Sequence, residues 1–313
     1  LFMRAILVGI LASFFFSATF IINRVMSTGG TSWAWTASLR FLFAIPFLLL
    51  LVIGRKGLKE LLAEMQKNIG TWLLWGTCGG VGFYSLLSFA SAYSPSWLTS
   101  GTWQITILAG ALLSPLFYVS IHTNGSTKKI RQKIPFKSLG FSLIILLGVI
   151  LMQVKEANQL TFSDFLFGFI PVVVAAFLYP LGNRKMMEVC QGKLDTFQRT
   201  LGMALSSIPV ALLLALFGYQ QTGLPTAPQF LQILLLAIFS GVIATILFFV
   251  ATDLAKSNMA LLAAVESTQA GAMIFTILGE VIILNGPFPQ GLSLIGMILV
   301  ILGMLITSIA NRR

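Results

Sequence analysis

The side chain best placed to do chemistry is Glu266, a lone carboxylate inside the apolar run ALLAAVESTQAGAMIFTILGE that spans Ala260 to Glu280. About 20 residues at a 1.5 Å rise match the ~30 Å hydrocarbon core of a bilayer, and an ionised group near the middle costs at least a few kcal/mol. Desolvation disfavours the carboxylate more than the acid, so Glu266 is expected to take up and release a proton near neutral pH. On a helical period Glu266, Gln269, Met273, Thr276 and Glu280 share one stripe, which reads as polar lining. Ala263, Ser267 and Gly271 form a second stripe, small enough for close helix packing.

Other apolar runs carry residues that could share a substrate cavity with Glu266. Trp103, Gln104 and Thr106 lie in one run, Tyr84 with Ser88 in another, and Tyr179 beside Pro180 in a third. Aromatic faces can hold a cation or a flat ring, and Pro180 frees a backbone carbonyl. Together with Gln269 these are the candidate cavity residues. Arg40 and Arg199 are candidate counter-ions to intramembrane acids, although a position about two turns inside a span also allows a side chain to snorkel to headgroups.

Composition defines the elements that must position these groups. Hydrophobic residues make up 57% of 313 and charged residues 9%, which implies an all-α polytopic membrane protein rather than a soluble domain. The net charge of +11 sits in short clusters between apolar runs, which points to lipid headgroups and away from nucleic acid. Cys78 and Cys190 form no CxxC pair, His122 is the single histidine, and no Ser/His or paired-Asp constellation lies at membrane depth. Neither a metal site, a cofactor nor an enzymatic centre is therefore expected. Gly79, Gly80 and Gly82 allow close packing or bending but lack the strand context of a dinucleotide fingerprint.

Apolar runs near 5–23, 33–53, 71–92, 97–120, 138–154, 162–182, 197–218, 229–252, 257–283 and 289–309 predict ten transmembrane helices, the first read as uncleaved. Of the twenty Lys and Arg residues, sixteen fall at the termini or in the loops after even-numbered runs, and only Arg24 and Lys155 on the opposite side. That asymmetry places both termini in the cytoplasm. Leu58, Leu61, Leu62 and Met65 oppose the charges of the 55–67 segment, so it is expected to lie along the inner surface. The polar 124–137 loop is then cytoplasmic, and its Asn124-Gly125-Ser126 match to a glycosylation site is void.

Landmarks recur at nearly constant spacing. Asn23-Arg24 and Asn183-Arg184 are 160 apart, Arg40 and Arg199 159, Gly80-Val81 and Gly241-Val242 161, and Gln104 and Glu266 162. Such spacing predicts duplication into residues 1–154 and 155–313. Each unit has an odd number of spans, so the second enters the membrane inverted, as in secondary transporters whose substrate site lies near the midplane.

The layout resembles the drug/metabolite transporter superfamily, in its ten-helix, EamA-like branch of multidrug resistance efflux transporters. Four short matches carry the resemblance: Asn23-Arg24-Val25 closing the first run, Ser38-Leu39-Arg40-Phe41 opening the second, Ala90-Ser91-Ala92-Tyr93 after the third, and the VESTQ of 265–269. The resemblance covers essentially the whole chain. It implies a cavity lined by spans 1, 3, 4, 6, 8 and 9, with 5 and 10 peripheral, and export of drugs, amino acids or metabolites, often against protons. Four-helix members carry their essential glutamate in the first span, where Ser13 to Asn23 contains no acid. The function expected is a secondary active transporter of small, amphipathic or cationic molecules, with a facilitative carrier without ion coupling as the alternative. Its partners are substrate, protons and membrane lipid, and a homodimer is one assembly open to it. Reporter fusions at residues 125 and 313 are expected to report the cytoplasm in both cases; export of either would overturn the orientation.

Overall fold

The computed structural model describes residues 2–123, 126–134, 136–157, 161–286 and 288–310. Its helices are α1 (Phe2–Thr28), α2 (Trp33–Gly54), α3 (Leu58–Lys67), α4 (Ile69–Ala90), α5 (Ser96–Trp103), α6 (Ile105–Leu112), α7 (Phe136–Ala157), α8 (Phe162–Cys190), α9 (Thr196–Ser206), α10 (Ile208–Thr222), α11 (Ala227–Ala255), α12 (Met259–Ser267), α13 (Ala270–Leu284) and α14 (Leu292–Ala310). Five of these, α1, α2, α4, α8 and α11, are long and apolar enough to cross a membrane singly, and α9 with α10 do so as a pair bent by 47°. Within the described residues the chain is a mostly helical, multi-pass membrane protein.

Local chemistry sets the boundaries. Thr161 caps α8 by accepting from the Asp164 amide, and Asp195 and Gln198 form a reciprocal capping box at the start of α9. A second box joins Thr226 and Gln229 at α11, with Pro228 in its first turn. Helices α8 and α13 end on left-handed residues, Gln191 and Asn285. Where α5 meets α6 at Gln104, and α12 meets α13 at Thr268 and Gln269, the backbone tightens to three-residue hydrogen bonds. Side chains there bond back to the preceding turn, Gln104 Nε2 to the Ser100 carbonyl and the Thr268 hydroxyl to that of Val265, which competes with regular helix and bends it.

Two elements differ from the sequence expectation. The apolar run 97–120 ends as a helix at Leu112, and Tyr118–Thr123 pairs antiparallel with Ser126–Arg131 as β1 and β2, in a register that sets Tyr118 opposite Arg131 and Thr123 opposite Ser126. Pro115 offers no amide to continue the helix, and Tyr-Val-Ser-Ile-His-Thr alternates at a strand period that a hydropathy window averages away. Asn124-Gly125, outside the described residues, is the dipeptide most favoured between such strands. The second difference is α8. The run expected to stop at 182 continues to Cys190, making a helix of 29 residues, about 43 Å long, so Arg184 and Lys185 lie on it rather than in a loop.

Packing is dense along the bundle axis. Helix α4 widens into π-type turns over Trp72–Gly76 and Cys78–Gly82, and α11 over Ala237–Ala244. Gly79 and Gly182 bring α4 against α8 so closely that a Cβ on Gly182 would stand 2.4 Å from the Gly79 Cα. Ile145, Val149 and Met152 of α7 pack with Met297 and Val300 of α14 in a separate cluster at the side, joined by Met273 and Ile277 of α13. Helix α3 places Leu61 in the core against Trp72, while Lys59 and Lys67 remain exposed. Hydrogen bonding from Lys67, with Lys193 nearby, holds the Glu64 carboxyl below its ordinary value.

Candidate functional site

Glu266 lies at the end of α12, 4% exposed, and the group that meets it is Arg184 of α8. Arg184 Nη2 donates to both carboxylate oxygens at 2.6 Å and Nε donates to Oε1 at 3.0 Å, a bidentate clasp. Arg184 Nη1 donates to the Gly110 carbonyl on α6 at 2.6 Å, so the pair joins α6, α8 and α12. Gly110 is required by space: a Cβ there would sit 2.2 Å from Glu266 Oε2. The sequence reading had counted Arg184 among headgroup-facing cations; it is buried instead, because its helix runs on past the apolar segment. Glu266 is accordingly no free carboxylate, and the guanidinium opposes the desolvation on which the proton-exchange expectation relied.

A second pair stands nearby. Arg199 of α9 donates to Asp253 of α11 at 2.8 Å and lies over the Phe249 ring, its carbon 4.9 Å from the centroid. Arg199 therefore has an acidic partner and does not snorkel. Arg184, Arg199 and Asp253, but not Glu266, line a cleft of about 610 Å³ that is also bounded by Phe117 and Tyr118 at the start of the hairpin, Asp195 and Lys256. Arg55 bonds Asp195 at 3.2 Å at the same end of the bundle. The first candidate counter-ion behaves otherwise. Arg40 is 1% exposed, donates to the Ser240 carbonyl and hydroxyl, and stacks 4.0 Å from the Tyr84 centroid with no carboxylate in ion-pair range among the described residues.

The aromatic candidates come together. Phe83 of α4 lies 4.6 Å from Tyr179 and 5.7 Å from Trp103, which is itself 5.6 Å from Tyr179, with Phe248 on the far side. Tyr179 also lines a small space together with Arg40 and Phe249. Several polar atoms in this zone are buried with no hydrogen-bond partner among the described residues: Trp103 Nε1, Gln104 Oε1, Tyr179 Oη, Asn183 Oδ1 and both ends of Gln269. Tyr84 is engaged, accepting from Asn23 Nδ2 at 3.0 Å, and Asn23 Oδ1 accepts from Ser88. Thr106 ties α6 to the Ala176 carbonyl of α8.

The stripe from Glu266 to Glu280 is not one lining. The break at Thr268 and Gln269 interrupts it, Met273 packs in the side cluster, and Glu280 accepts from Ser96 at 2.5 Å elsewhere. The small stripe does pack: Gly271 faces Ser13 of α1. Arg184, Asn183 and Asp253 were missed as site residues. The repeated Asn-Arg pair was the signal for the first two, since a landmark kept at 160-residue spacing inside a helix has a structural or functional reason. Among the described residues no cluster of three metal-ligating side chains exists.

A family model described as "EmrE: Putative multidrug resistance efflux transporter" matches residues 3–313. The chain belongs to this family of multidrug resistance efflux transporters. It is 53% identical over 310 residues to the "Uncharacterized protein YjlA" of Bacillus subtilis (strain 168), covering 99% of this chain and 96% of that one. It is 49% identical over 269 residues to the "Uncharacterized 42.1 kDa protein in intracellular alkaline protease 3'region" of Shouchella clausii, covering 86% of this chain and 70% of the relative. A crystal structure of a protein 15% identical superposes with TM-score 0.69 over 99% of this chain and 98% of that chain, which speaks to fold alone. As a member of a transporter family, the chain handles small molecules in a lipid environment.

The ion pair generates a thermodynamic expectation. Arg184→Gln leaves Glu266 buried without its partner and should destabilise by about 3–5 kcal/mol, whereas the double variant Arg184→Gln/Glu266→Gln should recover most of that loss. Thermal unfolding in detergent of these two variants and of Glu266→Gln measures the cycle; additive losses would contradict the pairing.

Proposed function

We propose that the protein is a secondary transporter that exports small organic molecules across the cytoplasmic membrane by proton-coupled antiport, with Glu266 as coupling residue. The observation that carries this reading is the buried Arg184–Glu266 pair, whose arginine lines a cleft of about 610 Å³, a volume suited to a drug-sized ligand. A proton and the Arg184 guanidinium compete for one carboxylate. Protonation weakens the clasp that ties α8 to α12, so the packing of α6, α8 and α12 differs between the two protonation states. A cationic substrate would have to displace Arg184 to reach Glu266, which favours an amphipathic molecule held by the aromatic zone of Trp103, Tyr179 and Tyr84, with Gln104, Gln269 and Thr106 at the helix breaks.

The architecture proposed with this mechanism is ten spans in two inverted repeats, 1–154 and 155–313, with both termini cytoplasmic and the cleft opening to the cytoplasm. The breaks at Gln104 and at Thr268 support the repeat reading, because Gln104 and Glu266 are 162 residues apart in sequence and both lie at interruptions of a helix. A second reading is a facilitative carrier. The bidentate clasp favours it insofar as a permanently paired Glu266 serves as a structural lock.

Growth of an expressing strain against dyes, biocides and amino acid analogues identifies a substrate for the decisive assay. In proteoliposomes with an imposed pH gradient, Glu266→Gln should abolish gradient-driven transport. Gln104→Ala should mainly weaken substrate affinity, by about fivefold for one lost hydrogen bond. Full gradient-driven transport by Glu266→Gln would leave only the facilitative reading.

A further inference from the structure

The buried charges of the described residues do not cancel. Arg184 faces Glu266 and Arg199 faces Asp253, yet Arg40, buried as deeply, has no carboxylate within 4.0 Å. Its hydrogen bonds among the described residues run from Nε and Nη2 to the single residue Ser240, while Nη1 makes none. Carbonyl, hydroxyl and ring faces offset part of the desolvation of a guanidinium, but they leave its full unit of charge in a low-dielectric region, where a mobile anion gains most.

That charge borders a chamber. Arg40 lines a small, partly open space of about 20 Å³ together with Phe41, Phe83, Tyr179, Met203 and Phe249. Room for about one water is not room for a substrate, but the walls are adaptable. Gly79 and Gly80 from the π-type turns of α4, and Gly241 from that of α11, line it, and Gly80 has the non-helical angles φ −110° and ψ −116°. Such turns are frequent at functional sites. Met203 supplies a flexible side chain. Tyr179 lines the same chamber, and its hydroxyl is buried with no hydrogen-bond partner among the described residues. Phe249 lines the chamber and carries Arg199, which lines the open cleft, so this contact connects the two linings.

We propose that Arg40 receives the negative group of the transported molecule, a small organic acid whose carboxylate pairs with the guanidinium while its flat apolar body lies among Phe41, Phe83, Tyr179 and Phe249. This rests on the transporter reading and narrows its amphipathic substrate to an organic anion. The Tyr179 hydroxyl supplies a second donor to the bound carboxylate, and the aromatic walls select a ring over a chain.

Three probes that share a ring and differ in charge test it: benzoate, benzamide and benzylammonium, titrated into the purified protein in detergent with thermal unfolding as readout. No gradient is present, so the outcome is independent of whether Glu266 couples to protons. Benzoate should stabilise the wild type with about tenfold or greater advantage in apparent affinity over benzamide, and benzylammonium should not stabilise it. Arg40→Gln should abolish the benzoate effect and Arg40→Lys should retain part of it. Ser240→Ala, which removes a tether without removing the charge, should keep it, so the proposal stays testable even if Arg40→Gln fails to fold. Absence of benzoate stabilisation in the wild type, equal response to benzylammonium, or undiminished benzoate binding by Arg40→Gln would overturn the proposal and leave Arg40 as a tie between α2 and α11.

Discussion

One buried ion pair constrains the interior of this protein. A carboxylate and a guanidinium placed in a low-dielectric bundle each carry a desolvation penalty of several kcal/mol, and only a geometry that satisfies both repays it. Arg184 and Glu266 meet that demand with a bidentate contact, and the remaining guanidinium nitrogen takes the Gly110 carbonyl. The contact fixes the approach of α6, α8 and α12 closely enough that position 110 admits no side chain. It also explains why α8 runs past its apolar segment: the helix must carry a cation to the depth of the acid.

Around that pair, polar chemistry and helix irregularity coincide. The interruptions at Gln104 and at Thr268 and Gln269 sit beside Glu266, and the π-type turns of α4 and α11 flank Arg40. In a bilayer, backbone outside the regular helix is tolerated only where protein or a cavity surrounds it. Trp103, Tyr179 and Gln269, all buried with polar atoms that lack a partner among the described residues, are the ground for the ligand zone proposed above. The charge arrangement is uneven: among the described residues two buried arginines have acids, and the third has only neutral partners. In the proposed mechanism coupling and recognition therefore rest on different arginines.

Much of the helical layout was legible because hydropathy and caps agree. The run 33–53 became Trp33–Gly54, and the aromatic candidates Trp103 and Tyr179 lie with ring centroids 5.6 Å apart. What escaped the sequence has physical causes. The partner of Glu266 is 82 residues away in the chain and sits beyond the hydrophobic window, where a cation reads as a headgroup contact. The β1–β2 hairpin escaped because alternating residues average to moderate hydropathy next to an apolar run. The break after Ser267 escaped because hydroxyl back-bonding leaves no trace in a 3.6-residue pattern, and with it went the supposed continuous lining to Glu280.

The central claim is that protonation of Glu266 loosens the Arg184 clasp and changes the opening of the cleft. Glu188 and Ser257 border that cleft and are both exposed, so spin labels there, in a protein freed of Cys78 and Cys190, report its width by double electron–electron resonance. The account predicts a distance distribution that shifts with pH when Glu266 is present and becomes independent of pH in Glu266→Gln. A pH response that survives unchanged in Glu266→Gln, or none in either protein, would contradict it.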